Sequence, residues 1–174
     1  MPTSATPATA ILVREGVTHR VHEYAPAERQ GRAREARPDY GLEAAAALGI
    51  DPALMAKTLI VIVDGALVAA VLPVERSLDL KALAAATGGR RAELAEPTVA
   101  ERATGSVVGG ISPLGMRRAI PVLIDETLPG HPTVLISAGR RGLQIELAPE
   151  DLVRLTGAVV TAIARPGRGL VHRT

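Results

Sequence analysis

Leu59–Leu72 reads LIVIVDGALVAAVL. A β-branched run, Leu59 to Val63, and a second apolar run, Leu67 to Leu72, flank the dipeptide Asp64-Gly65. The favoured two-residue hairpin turn needs positive φ at both central residues, and Asp-Gly is among the pairs that supply it. The stretch therefore predicts a β-hairpin, and the remaining elements group around it. Toward the N-terminus, Asp51-Pro52 caps a turn, and Gly41 to Leu48 is an Ala-rich helix closed by Gly49. Val17 to Tyr24 alternates as a strand, and Thr6-Pro7 is an N-cap and first helical position for a helix ending near Gly16. Toward the C-terminus, Asp79 to Thr87 and Pro97 to Thr104 are helices stopped by Gly88-Gly89 and Gly105. Pro121 to Asp125, Thr133 to Ser137 and Leu143 to Leu147 are strands. Pro149 to Leu155 is a helix ended by Gly157, and Ala158 to Ala164 is a final strand. Strands and helices intermix without regular βαβ alternation. The expected fold is α/β of the α+β kind, a mixed, largely antiparallel sheet flanked by helices.

The chain has 174 residues, 47% hydrophobic and 22% charged, which suits one soluble domain over residues 1–174. Its core should run from about residue 6 to 164. The stretch Ala25 to Pro38, with four arginines, reads as a solvated loop, and the tail from Arg165 as frayed. No apolar run reaches membrane-span length and no secretory signal is visible, so the expected location is cytoplasmic.

Cysteine is absent, which removes disulfides, thiol catalysis and thiolate metal sites. Phe and Trp are absent too, and Tyr24 and Tyr40 are the sole tyrosines. That argues against reading single strands by stacking bases on several rings. The formal net charge of +2 does not suggest a general polyanion binder. Of 20 cationic residues, just Lys57 and Lys81 are lysines. In so Arg-rich a chain, a retained lysine hints that a compact ammonium is required.

No Walker loop, HExxH or GxSxG pattern occurs. His19 and His22, three apart on a strand, point to opposite faces and do not form a chelating pair. Three features invite a functional reading beside a bland one. The loop GGISPLG, Gly109 to Gly115, lets a ligand approach backbone N–H groups, or is a tight connection. Ser137 to Gly142, SAGRRG, suits a phosphate or carboxylate, or is a hairpin loop with solvated arginines. Lys57 points its amine into a cleft, or snorkels at a strand edge.

Taken in order, the blocks TPAT (Thr6–Thr9), HEY (His22–Tyr24), YGLEAAAALG (Tyr40–Gly49) and KTLIV (Lys57–Val61) match a known family. So do LDLKALA (Leu78–Ala84), TGSVVGGISPLG (Thr104–Gly115) and ISAGRRGLQIELAPEDLVRLTGA (Ile136–Ala158). The chain resembles the YbaK/EbsC group of the prolyl-tRNA-synthetase editing-domain superfamily. The resemblance implies a free-standing deacylase that removes a wrong amino acid from tRNA, with Cys-tRNA(Pro) the leading substrate. Ala-tRNA(Pro), another misacylated tRNA, or a non-catalytic aminoacyl- or nucleotide-binding role are the alternatives. Editing answers a physical need, because a proline pocket excludes a similar or smaller side chain by no more than about 10–200-fold.

The resemblance further implies attack by the substrate's own thiol on its ester carbonyl, leaving as a thiolactone. That fits a chain with no obvious nucleophile of its own. It implies catalytic roles for Lys57, which would neutralise charge at the ester or hold a tRNA phosphate, and for Gly110, which would offer backbone N–H or let the adenosine approach. Thr58 and Tyr24 would shape the aminoacyl pocket, with Ile111, Ser112 and Pro113 around Gly110, and Ser137 and Gly139 closing the other side. No cofactor or metal is implied. The partners would be the acceptor end of mischarged tRNA(Pro) and prolyl-tRNA synthetase, with neither membrane nor DNA.

Overall fold

A computed structural model of the chain describes residues 4–27 and 39–167. The Arg-rich stretch 28–38 and residues 168–174, on which two of the expectations fall, lie outside the described residues. The hairpin forms from β2 (Ala56–Val63) and β3 (Ala66–Pro73), antiparallel from Ala56 opposite Pro73 to Val63 opposite Ala66. Asp64 at φ 48° and Gly65 at φ 88° make the turn. The Asp64 carboxylate also accepts the backbone N–H groups of Arg90 and Arg91, at 2.8 and 3.0 Å. This pins the chain entering β5 (Ala92–Leu94) to the far edge of β2.

The hairpin is the centre of a five-stranded sheet in the order β5-β2-β3-β6-β9, where β6 is Val122–Asp125 and β9 is Val159–Thr161. The β3–β6 and β6–β9 pairs are parallel. A second, wholly antiparallel sheet has the order β1-β8-β7, from His19–Glu23, Leu143–Leu147 and Val134–Ser137. The short β4 (Arg76–Leu78) pairs with β10 (Ala164–Pro166). The mixed α/β class is as expected, but its strands divide into three sheets. A parallel bridge between Met55 and Leu135 joins the first two sheets, and the Leu135 N–H donates to the Leu54 carbonyl at 2.9 Å.

The expected final strand, Ala158 to Ala164, is in fact two strands, and Arg165 belongs to the second instead of a frayed tail. The cause is Asp125, 2% exposed. Its Oδ1 accepts the N–H groups of Ile163 and Ala164 at 3.0 and 2.9 Å, and its Oδ2 accepts the N–H and hydroxyl of Thr127. A buried carboxylate holding two successive N–H groups turns the chain out of one sheet and into another.

Helices α1 (Pro7–Arg14), α2 (Tyr40–Leu48), α3 (Leu80–Ala86), α4 (Pro97–Thr104) and α5 (Pro149–Thr156) fall where capping chemistry places them. The side chains of Thr6, Asp39 and Asp79 accept the orphan N–H groups of Thr9, Leu42 and Ala82. No helix among the described residues is long and apolar enough to cross a membrane.

Strand β3 is buried on both faces, which its unbroken apolar sequence requires. Ala69 and Val71 face a large core with Leu12, Ile124, Ile136 and Ile145. Val68, Ala70 and Leu72 face a smaller one with Val61, Leu83 and Ile163. A third cluster, Ala44, Ala45, Met55, Val74 and Leu135, seats α2 over the junction of the two main sheets. That seat sets the start of α2 beside the free part of the β2 edge.

Candidate functional site

β2 pairs with β3 along its whole length but with β5 only from Val61 onward. The Ile60 carbonyl accepts from Ala95 N–H at 2.9 Å on the edge away from β3. By the two-residue alternation, the N–H and C=O of Thr58 lie on that same edge, and no strand among the described residues pairs with them. A cleft of about 570 Å³ opens there. Lys57 and Thr58 of β2 form one wall, Tyr40 of α2 and Glu101 of α4 flank it, and Gly109 and Ile111 bring the glycine-rich loop in. Ser137 on β7 and Gln144 on β8, register partners in the second sheet, also line the cavity.

The Lys57 side chain is half-buried, and its Nζ donates only weakly to the Val74 carbonyl, at 3.4 Å. Burial lowers its pKa from the ordinary 10.5, and the Asp39 carboxylate pulls it part of the way back. An ammonium short of solvent and poorly bonded is a cation that gains from any negative charge brought to it.

The glycine-rich loop is tied on two sides. Val108 N–H donates to Glu101 Oε1 at 2.9 Å, and the Val108 carbonyl accepts from Arg141 Nε and Nη2 at 2.9 and 2.6 Å. The Arg141 guanidinium lies 4.2 Å from the centroid of the Tyr40 ring. Gly109 sits between these groups at φ 89°, and a Cβ there would stand 2.6 Å from the Tyr40 ring.

Lys57, Thr58, Ile111 and Ser137, singled out in the sequence, line the cleft together. The others stand behind or beside it. Gly110 is buried, its N–H donates to the Val107 carbonyl at 2.9 Å, and a Cβ there would lie 2.7 Å from the backbone of Arg140 and Arg141. It thus lets two loops touch back to back, and its N–H faces into its own loop. Ser112 is 2% exposed and its Oγ accepts Leu114 N–H at 3.2 Å, holding the turn that contains the buried Pro113. Gly139 N–H donates to Ser137 Oγ at 3.4 Å. The ring of Tyr24 packs against the cluster under α2, and its N–H donates to the Gly142 carbonyl.

Tyr40 and Gln144 are not among the residues singled out in the sequence, and Arg141 is there only as part of the SAGRRG loop. Gln144 is 5% exposed, and its Oε1 is shut from solvent with no hydrogen-bond partner among the described residues. Such an orphan costs about 1–3 kcal/mol. Across β8 from Ser137, Gln144 faces His22 of β1. His22 Nε2 lies 2.7 Å from Glu146 Oε2, and Thr133 Oγ1 donates to Glu146 Oε1 at 2.8 Å. These two hydrogen bonds hold the Glu146 pKa below its ordinary value. Ser137 and His22 are two strands apart, roughly 10 Å, so His22 does not reach Ser137 as a base. Among the described residues no cluster of His, Asp and Glu could hold a metal ion.

The cleft of this mixed α/β fold thus offers one half-buried amine and, among the described residues, no base within reach of Ser137. The chain belongs to the aminoacyl-tRNA editing domain family, whose sequence model matches residues 39–155. It is 40% identical over 113 residues to a protein of Enterococcus faecalis named as a Cys-tRNA(Pro)/Cys-tRNA(Cys) deacylase, EbsC, covering 64% of this chain and 69% of that one. It is 33% identical over 98 residues to a proline–tRNA ligase of Nitratidesulfovibrio vulgaris, covering 56% of this chain and 17% of the ligase. A solved structure described as a trans-editing enzyme for prolyl tRNA synthetase superposes with a TM-score of 0.79 at 25% identity, covering 95% of this chain and 99% of that one. The resemblance seen in the sequence therefore holds at the level of the aminoacyl-tRNA editing family.

Proposed function

We propose that the chain works as one trans-editing domain that removes cysteine from mischarged Cys-tRNA(Pro). The observation that carries this reading is the half-buried amine of Lys57, which faces a cleft with no activated nucleophile among the described residues. The named activity of the Enterococcus relative supports the choice of cysteine.

The terminal adenosine occupies the exposed end of the cleft, by Tyr40 and Arg141, and the aminoacyl group the buried end, by Thr58, Ile111 and Ser137. The substrate thiol attacks its own ester carbonyl. A C–S bond forms, the ester C–O bond breaks, and the thiol proton passes to the departing ribose oxygen. The product is a cyclic thiolactone, which water then opens. Lys57 steadies the negative charge that gathers on the carbonyl oxygen, or holds the neighbouring phosphate. Gly110 serves by holding the two loops in contact. The rate comes from orientation and from electrostatic stabilisation. Prolyl-tRNA synthetase is the proposed partner, supplying selectivity for the tRNA.

The test is a deacylation assay of the purified protein against Cys-tRNA(Pro), Ala-tRNA(Pro) and Ser-tRNA(Pro), with and without prolyl-tRNA synthetase. Preferential release from Cys-tRNA(Pro) is expected. Equal or greater release of alanine overturns the choice of substrate, and no release from any of them overturns the editing reading.

A further inference from the structure

We infer that Gln144 recognises the α-ammonium group of the aminoacyl ester, an inference that rests on the proposed function. Gln144 lies at the inner wall of the cleft beside Ser137, both of them buried. Its Oε1 has no hydrogen-bond donor among the described residues. A buried acceptor without a donor is retained where a ligand brings the donor.

Two parts of the substrate carry N–H groups, the α-ammonium and the exocyclic amine of adenine. The depth of Gln144 selects the first. Of the cleft's lining, Met55, Ile111, Ser137 and Gln144 are buried, while Arg141 and Leu94 are exposed. The small aminoacyl group fits against the buried lining, and the wide adenosine against the exposed lining. The terminal amide torsion of glutamine is a broad, two-fold rotor, so Oε1 can turn to meet an ammonium brought into the cleft. Ser137 Oγ, on the neighbouring strand, is a second acceptor for the same ammonium. Together they fix the amino group and so set which face of the ester carbonyl the side chain meets.

The test uses a non-hydrolysable probe, 3′-(cysteinylamino)-3′-deoxyadenosine, and its N-acetyl derivative, with binding measured by calorimetry to wild type, Gln144→Met and Gln144→Glu. Gln144→Met is expected to weaken the free-amine probe by about 10–100-fold, the worth of a hydrogen bond to a charged group. It should leave the N-acetyl probe unchanged. Gln144→Glu, which keeps acceptor oxygens and adds a negative charge, should bind the amine probe at least as tightly as wild type. The melting temperature of Gln144→Met should equal or exceed that of wild type, because methionine fills a similar volume without an orphan oxygen. An equal loss on both probes, or no loss on either, overturns the inference while leaving the deacylase reading intact. A wild-type protein that binds neither probe and deacylates none of the mischarged tRNAs overturns both.

Discussion

Arg141 sits over Tyr40, its guanidinium 4.2 Å from the ring centroid, and the same guanidinium grips the Val108 carbonyl through two nitrogens. The start of α2, the glycine-rich loop and the β7–β8 turn are thereby strapped together at the cleft mouth. Gly109 is where the strap is most easily broken. Gly109→Ala would place a methyl group 2.6 Å from the ring in a backbone conformation that alanine resists. Gly110→Ala would press on the backbone of Arg140 and Arg141, which cannot swing aside as a side chain can. Both variants should lose deacylation. Gly110→Ala should also cost about 1–3 kcal/mol of stability, or roughly 5 °C in melting temperature for a chain of this length. Full activity with an unchanged melting curve in either variant would show that the loop tolerates a side chain there.

Lys57→Ala should reduce kcat by about 10²–10³-fold, the usual loss when one group facing a developing oxyanion is removed. Its fold should persist, since among the described residues Nζ makes just one long hydrogen bond. Lys81→Ala, on the exposed surface of α3, is the matched control and should leave turnover untouched. Wild-type kcat in Lys57→Ala at saturating substrate would remove Lys57 from the mechanism.

The lowered pKa of Lys57 gives a pH signature. Burial disfavours its charged form, so the folded state gives up this proton at a lower pH than the ordinary 10.5. Activity that needs the cation should fall as pH rises through the lowered value. Stability should move the other way over the same window, because the unfolded chain there holds the extra proton. Asp39→Asn keeps a side-chain oxygen for the Leu42 N–H at the start of α2 but removes the charge that supports the ammonium. Its alkaline limb should therefore lie at lower pH than that of wild type. A pH–rate profile of the two proteins decides the point, and coincident limbs would mean that Asp39 does not act on Lys57.

Ser-tRNA(Pro) should be a poor substrate beside Cys-tRNA(Pro), although the side chains differ by one atom. A hydroxyl near neutral pH is a far weaker nucleophile than a thiol, part of which is already thiolate. Ser137 and His22 stand too far apart to make good the difference. Product analysis by mass spectrometry should find thiolactone ahead of free cysteine. Similar rates on both substrates would instead indicate an enzyme-held water.

The hairpin and the helices were legible because their signals are local. Asp64-Gly65 fixes a turn by itself, and Thr6, Asp39 and Asp79 each cap a helix by accepting the N–H three residues ahead. Strands β4 and β5, three residues each, left no periodic trace. The final strand looked continuous because the group that bends it, Asp125, lies far upstream. Lys57, Thr58, Ile111 and Ser137 were readable through short motifs, whereas Gln144 was hidden by an ordinary one. In LQIEL the leucines and isoleucine face the core, so Gln144 and Glu146 should face water. Glu146 does so in part, but Gln144 faces the cleft that the distant β2 edge and α2 complete. Tyr40 is hidden for the same reason, and Arg141, legible as one of the SAGRRG arginines, makes sense as a strap only once Tyr40 is beside it.

The double grip of Asp125 on Ile163 and Ala164 bears on how the chain is made as well as on how it stands. A ribosome delivers β4 and Asp125 well before it delivers their partners. Until residue 166 has emerged, β4 lacks the strand it pairs with among the described residues, and a carboxylate destined for burial faces water. The hairpin and its flanking helices can gather early, but closure of this seam waits for residues 163–166 to be synthesised. A stalled or prematurely ended chain would therefore stay open at this seam, where quality-control proteases can enter.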